Sequence, residues 1–147
     1  MSNKKIIIIN GPNLNLLGER EPEIYGSESL EDLEKIVKDH IANSNLSVEV
    51  TFFQSNSEGD LVNSIQDAGK LMGGIIINAG GLSHTSVSIL DALLAIKIPK
   101  IEVHISNLFT REEFRHNSYT SKGVNGVVCG FGLNGYLLAI DGINKLI

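Results

Sequence analysis

Short apolar runs alternate with segments of helical period along the whole chain, and this alternation restricts the fold more than any other feature. Lys5–Asn10, with Ile6-Ile7-Ile8-Ile9, and Ile75-Ile76-Ile77 have too little polarity for a half-exposed strand and predict strands buried on both faces. Val48, Val50 and Phe52 alternate with Glu49, Thr51 and Phe53; Ile101, Val103 and Ile105 alternate in the same way, and Val127-Val128-Cys129 makes a last strand. Between them lie helices with readable starts. Ser29 with Asp32 resembles a capping box ahead of Leu30, Leu33, Ile36, Val37 and Ile41, and Asn43-Ser44-Asn45 ends that helix. Ser57 with Asp60 opens a second helix, carrying Leu61, Ile65, Ala68 and Leu71, which Gly73-Gly74 breaks. A third helix carries Val87, Leu90, Leu93 and Leu94 up to Pro99, a charged helical turn spans Arg111 to Arg115, and a last helix runs from about Leu133 to Lys145.

Parallel strands need crossovers, and those crossovers are usually helices. The pattern therefore predicts an α/β fold, a doubly wound parallel sheet of about five strands in the flavodoxin-like order 2-1-3-4-5. The 147 residues suit a single catalytic domain, 1–147. In such a sheet a ligand sits beyond the carboxyl ends of the strands, near the switch point between strands 1 and 3. The loops after strands 1, 3 and 4 should then converge. The first of these, Gly11 to Gly26, holds three glycines and two prolines in sixteen residues, which argues against regular helix or strand. Leu14, Leu16 and Leu17 give it an apolar underside. An ordered loop of that length is usually functional.

Composition narrows the function classes. Twelve basic against seventeen acidic residues give a net charge of −5, with no basic cluster, so nucleic acid is not an expected partner. No apolar run is long enough to span a bilayer, so no membrane association is expected. Met1-Ser2-Asn3-Lys4-Lys5 is basic, but only four isoleucines follow, too few for a secretory signal. With the single cysteine, Cys129, this points to the cytoplasm.

Several motifs point away from cofactors. Gly130-Phe131-Gly132-Leu133-Asn134-Gly135 is a literal G-x-G-x-x-G, but no strand follows to bring an acidic residue to a ribose, so it reads as glycine packing of helix on strand. His84 and His104 could share the crevice, yet neither has a partner at metal-binding spacing, so no metal is expected. His40 and His116 read as surface or helix-end histidines, Cys129 as a small buried hydrophobe. Proton transfer remains. A tyrosine acts as a base only as phenolate, and bringing its reference value of about 10 to about 7 takes roughly 4 kcal/mol of selective stabilisation. Arg20, in the same loop as Tyr25, is a source of it, although spacing alone slightly favours Tyr25 as a loop anchor and Arg20 as a solvated charge. Glu102 and His104 fall on one side of their strand, where the carboxylate can fix the tautomer of a general acid or merely satisfy a core histidine.

Block by block the chain resembles the type II 3-dehydroquinate dehydratases. The matching segments are Gly11 to Gly26, Asn78-Ala79-Gly80-Gly81 with His84-Thr85-Ser86-Val87, and Ile101 to Asn107. Further on come Arg111 to Arg115 with Ser118-Tyr119, and Gly130-Phe131-Gly132 with Gly135-Tyr136. The resemblance implies a cofactor-free lyase of the shikimate pathway. Tyr25 would take a proton from C2 of 3-dehydroquinate and Arg20 would stabilise the phenolate. His104, oriented by Glu102, would protonate the departing C1 hydroxyl, and Asn13 would hold a water on the enolate oxygen. Asn78, the Ile105 backbone amide and Ser106 would take the carboxylate, and His84 and Arg115 the ring hydroxyls. It also implies a dodecamer of four trimers in which Asp91 reaches a neighbouring subunit's site. Leu90, Asn117 and Lys122-Gly123 depart from the family pattern and bear on subunit contacts and the loop after Arg115. The same reaction also serves quinate breakdown, and a flavodoxin-like nucleotide-binding module is the alternative from another class.

Overall fold

The computed structural model describes residues 4–147, so Met1-Ser2-Asn3 lies outside the described residues while Lys4 and Lys5 of the basic opening begin the first strand. Its five parallel strands are β1 (Lys4–Asn10), β2 (Val48–Gln54), β3 (Gly74–Asn78), β4 (Lys100–His104) and β5 (Gly126–Cys129), in the order β2-β1-β3-β4-β5. The helices are α1 (Pro22–Tyr25), α2 (Leu30–Asn43), α3 (Glu58–Leu71), α4 (Val87–Ala95) and α5 (Asn134–Asn144). The α/β order predicted from alternation is the one observed. No helix among the described residues is long and apolar enough to cross a membrane.

Period-two alternation decides which residues pack where. Ile6, Ile8, Ile76, Ile101 and Val103 turn to one face and meet Leu33 and Val37 of α2 and Tyr136, Ala139, Ile140 and Ile143 of α5. Ile9, Ile75 and Ile77 turn to the other and meet Leu61 and Ile65 of α3 and Ile89 and Leu93 of α4. Each fully buried Ile or Leu contributes about 1.5–3 kcal/mol, so a strand shifted by one residue would forfeit both faces at once. Ser29 caps α2 in a true capping box with Asp32, and Ser57 caps α3 by accepting from the Asp60 amide.

Three local expectations need correction. The segment Gly11–Gly26 is not free of regular structure: a 3₁₀ turn covers Leu14–Leu16, and α1 forms one turn with Pro22 at its start, where a proline's missing N–H costs nothing. Cys129 is only half-buried. His40 is not merely a helix-end histidine, because its Nε2 lies 2.8 Å from Asp141 Oδ1 and ties α2 to α5.

Two glycines bring the loops of the site together. A Cβ on Gly11 would sit 2.6 Å from the Ala79 carbonyl oxygen, and Gly80, at φ 60°, is 3.0 Å by the same measure from the Pro12 carbonyl oxygen. The chain after β1 therefore lies directly on the chain after β3, as only glycine permits.

Candidate active site

The carboxyl ends of β1, β3 and β4 meet beneath the segment that carries α1, as the switch-point argument requires. Arg20 and Tyr25 from above, Asn78 and His84 from the β3 side, and His104, Ile105 and Ser106 from β4 line one chamber, with Arg111 and Arg115 closing it. Of the residues singled out in the sequence, Glu102 lies beneath His104, whereas Asn13 and Asp91 are not among those lining the chamber. Asn13 is exposed in a left-handed conformation at φ 71°, its amide donating to Asn56 Oδ1 at 2.9 Å, and its neighbours Pro12 and Leu14 do line the chamber. Asp91 is exposed on α4.

The floor is fixed by a buried network. Fully buried Tyr136 donates to Asn10 Oδ1 at 2.6 Å and accepts from Asn78 Nδ2 at 3.0 Å, while Asn78 Oδ1 accepts from the Gly80 amide at 3.1 Å. Burial pushes the Tyr136 phenol well up, only partly opposed by the Asn78 hydrogen bond, so it serves as a neutral strut. Asn78 keeps one amide proton for a ligand.

Tyr25 is the other tyrosine of the site, half-buried and mounted on α1. The guanidinium carbons of Arg20 and Arg111 each lie 5.1 Å from its ring centroid. Both cations stand over the ring face, where they can attract an anion formed on the phenol. Glu21, 3.3 Å from Arg20 Nη2, offsets part of one contribution. Arg111 was not assigned this role from the sequence, where it reads as part of a charged turn. It reaches Tyr25 because Arg111 Nη1 also donates to Ser106 Oγ at 3.2 Å, which holds it over the end of β4.

The histidines have assignable tautomers. Glu102 Oε2 lies 2.8 Å from His104 Nε2, so Nε2 carries a proton toward the carboxylate and Nδ1 is left to meet a ligand. His84 Nδ1 lies 2.7 Å from the Asn117 carbonyl oxygen, which can only accept, so Nδ1 is protonated and Nε2 is the acceptor. The two rings stack at 6.3 Å. Burial pushes His84 below the ordinary histidine value; the Asn117 bond works against this, and the charges of His104 and Arg115 add to it. Glu102 is fully buried, which favours the neutral acid, yet the His104 bond and charge with the Ser121 and Thr120 hydroxyls together hold its carboxyl below the usual range.

These two groups make stability depend on pH in one direction. Both bind protons less readily folded than unfolded, so the stability they confer is complete above the ordinary values of 6.5 for His84 and 4.5 for Glu102 and is lost on acidification. The melting temperature should fall in two stages, the first as pH drops below about 6.5 and the second as it drops below about 4.5, and His84→Gln should lack the upper stage. A level melting temperature across that range would contradict this.

The chamber itself is small, about 40 Å³, and continues past Tyr25, Ile105, Ser106 and Arg111 into an open trough of about 730 Å³.

The chain is similar to known proteins along nearly its whole length. The family model described as Dehydroquinase class II matches residues 4–144. A 3-dehydroquinate dehydratase of Prochlorococcus marinus (strain NATL1A) is 52% identical over 138 residues, 94% of each chain. One from Halothermothrix orenii is 48% identical over 143 residues, 97% of this chain and 95% of that one. The crystal structure of a type II dehydroquinase from Butyrivibrio crossotus superposes with a TM-score of 0.92 at 48% identity, covering 97% of this chain and 98% of that one.

Proposed function

Because the chain belongs to the class II dehydroquinase family, we propose that this chamber dehydrates 3-dehydroquinate with Tyr25 as the base and His104 as the acid. The activity, a hydro-lyase reaction, is the one carried by relatives about half identical over nearly their full length. The observation that carries the assignment of roles is the convergence of a guanidinium-flanked tyrosine and a carboxylate-held histidine on one chamber.

Tyr25, as phenolate, takes the C2 proton beside the ketone, and the electron pair moves onto the carbonyl oxygen as an enolate. Arg20 and Arg111 stabilise the phenolate before transfer. The enolate then expels the C1 hydroxyl, which takes a proton from Nδ1 of the His104 imidazolium and leaves as water, giving 3-dehydroshikimate and a neutral imidazole. Glu102 holds the imidazolium through Nε2. Asn13 is assigned the water on the enolate oxygen; Asn78, the Ile105 amide and Ser106 take the carboxylate; His84 Nε2 and Arg115 take the ring hydroxyls. Among the described residues no lysine lines the chamber, so borohydride added with substrate should leave turnover intact. A reduced lysine adduct would overturn the enolate route. The direct test is to add 3-dehydroquinate and follow the conjugated enone in the ultraviolet; no absorbance change would refute the assignment.

We place this activity in the shikimate pathway, in the cytoplasm, with 1–147 acting as one catalytic unit. The assembly we propose is a dodecamer of four trimers. Its support is on α4, where Val87 and Leu94 are 52% and 60% exposed and Asp91 sits between them at helical spacing, on a face suited to a second copy. Asp91 would then complete a neighbour's site. Asp91→Ala should weaken substrate binding, and mixing it with Tyr25→Phe subunits should restore part of the activity, because some sites regain both intact groups. A fully active monomer on sizing chromatography would rule this out, as would verified mixed oligomers without recovery.

A further inference from the structure

Glu102 has no exposed surface, and a buried carboxylate that lacks donors takes up a proton. Here four groups meet it. Oε2 accepts from His104 Nε2 at 2.8 Å, from Ser118 Oγ at 3.2 Å and from Ser121 Oγ, and Oε1 accepts from Thr120 Oγ1. Three of the four are hydroxyls of one four-residue stretch after the Arg111–Arg115 turn. That stretch is itself anchored. The Tyr119 amide donates to the Ser83 carbonyl at 2.8 Å, the Ser121 amide donates to Ser118 Oγ at 3.2 Å, and Thr120 is fully buried. Gly123, just beyond, lies so close to α4 that a Cβ there would be 3.0 Å from Leu93 Cβ.

We infer that Ser118, Thr120 and Ser121 form a positioning clamp that keeps Glu102 ionised and aimed at His104, so that the shared proton stays on His104 Nε2 and Nδ1 is presented to the leaving hydroxyl. The inference rests on the reading of His104 as the acid. None of the three residues is among those lining the chamber, so they act through Glu102. Each donates its one proton to the carboxylate, and with three donors opposing the cost of burial the pair rests as carboxylate and protonated ring nitrogen rather than as neutral acid and bare imidazole. The other groups facing the pair are His84, stacked on His104, and Tyr25, Arg20, Arg111 and Arg115 of the chamber, and among the described residues none of them hydrogen-bonds to a clamp hydroxyl.

Thr120→Val removes one donor at nearly constant volume, Thr120→Ser keeps the donor and removes the methyl group, and Ser121→Ala removes a donor from a half-buried position. Turnover of 3-dehydroquinate is measured from about pH 5 to about pH 9 for each. Thr120→Val should lower kcat about tenfold with KM within about twofold, and should move the acidic limb of kcat upward by about one pH unit. Thr120→Ser should restore both, and Ser121→Ala should move the limb the same way. An acidic limb that stays in place, or a Thr120→Ser as impaired as Thr120→Val, overturns the clamp and leaves the hydroxyls as packing. If Thr120→Val does not fold, the limb in Ser121→Ala decides. A wild-type protein that does not convert 3-dehydroquinate overturns the dehydratase reading and the clamp together, whereas an active wild type with an unmoved limb in the variants overturns the clamp alone.

Discussion

Tyr25→Phe is expected to lose at least about a thousandfold in kcat while folding normally and binding ligand nearly as well. A thousandfold corresponds to about 4 kcal/mol of transition-state stabilisation, within the range for removing a positioned base. The substitution deletes one oxygen and retains the ring, so the contacts of the Arg20 and Arg111 guanidiniums with its face persist and α1 keeps its seat. Because the oxygen acts on the proton in flight and not on the resting substrate, the loss should appear in kcat with little change in KM. Steady-state kinetics with a ligand-induced thermal shift separates the two. Near-normal kcat would require another base, and among the described residues lining the chamber His84 and His104 are the candidates.

His104→Gln is expected to lose about a hundredfold to ten-thousandfold in kcat, with a further signature that Tyr25→Phe lacks. The elimination has two proton transfers, and His104 serves only the second. In the variant Tyr25 still removes the C2 proton, but the enolate cannot expel an unprotonated hydroxide and returns to substrate. In deuterated solvent, 3-dehydroquinate recovered from His104→Gln should therefore carry deuterium at C2 although little enone forms, while Tyr25→Phe should show neither product nor exchange. Nuclear magnetic resonance of recovered substrate reads this directly. Exchange in Tyr25→Phe, or none in His104→Gln, would reverse or abolish the division of roles. Glutamine can still offer a hydrogen bond to Glu102, and the three hydroxyls remain in place, so the variant should stay folded.

Much of the site can be read along the chain where its members are near neighbours in one element. Glu102 and His104 stand two apart on β4, and two is the period of a strand, so their pairing follows once the strand is recognised. The switch-point rule then brings Tyr25, Asn78 and His104 to one end of the sheet before any contact is known. Arg111 over Tyr25 is different in kind, since the two approach only when the loop after β4 folds back across the loop after β1. The Tyr136 strut joining Asn10 and Asn78 likewise depends on α5 packing over both β1 and β3.

What the sequence by itself determined is therefore the alternation of elements, the two capped helix starts at Ser29 and Ser57, the two-faced core, and the identity of the residues at the carboxyl ends of the strands. Those features rest on period and on local hydrogen bonding, which a few neighbouring residues specify. Only the tertiary structure decided that α1 forms, because a four-residue helix has no period to detect and is held by its proline start and its seat over the chamber. The same holds for the second guanidinium on Tyr25 and the three hydroxyls on Glu102. Those contacts join residues far apart in the chain, and their distances are set by strand order and by loops whose path no local pattern encodes.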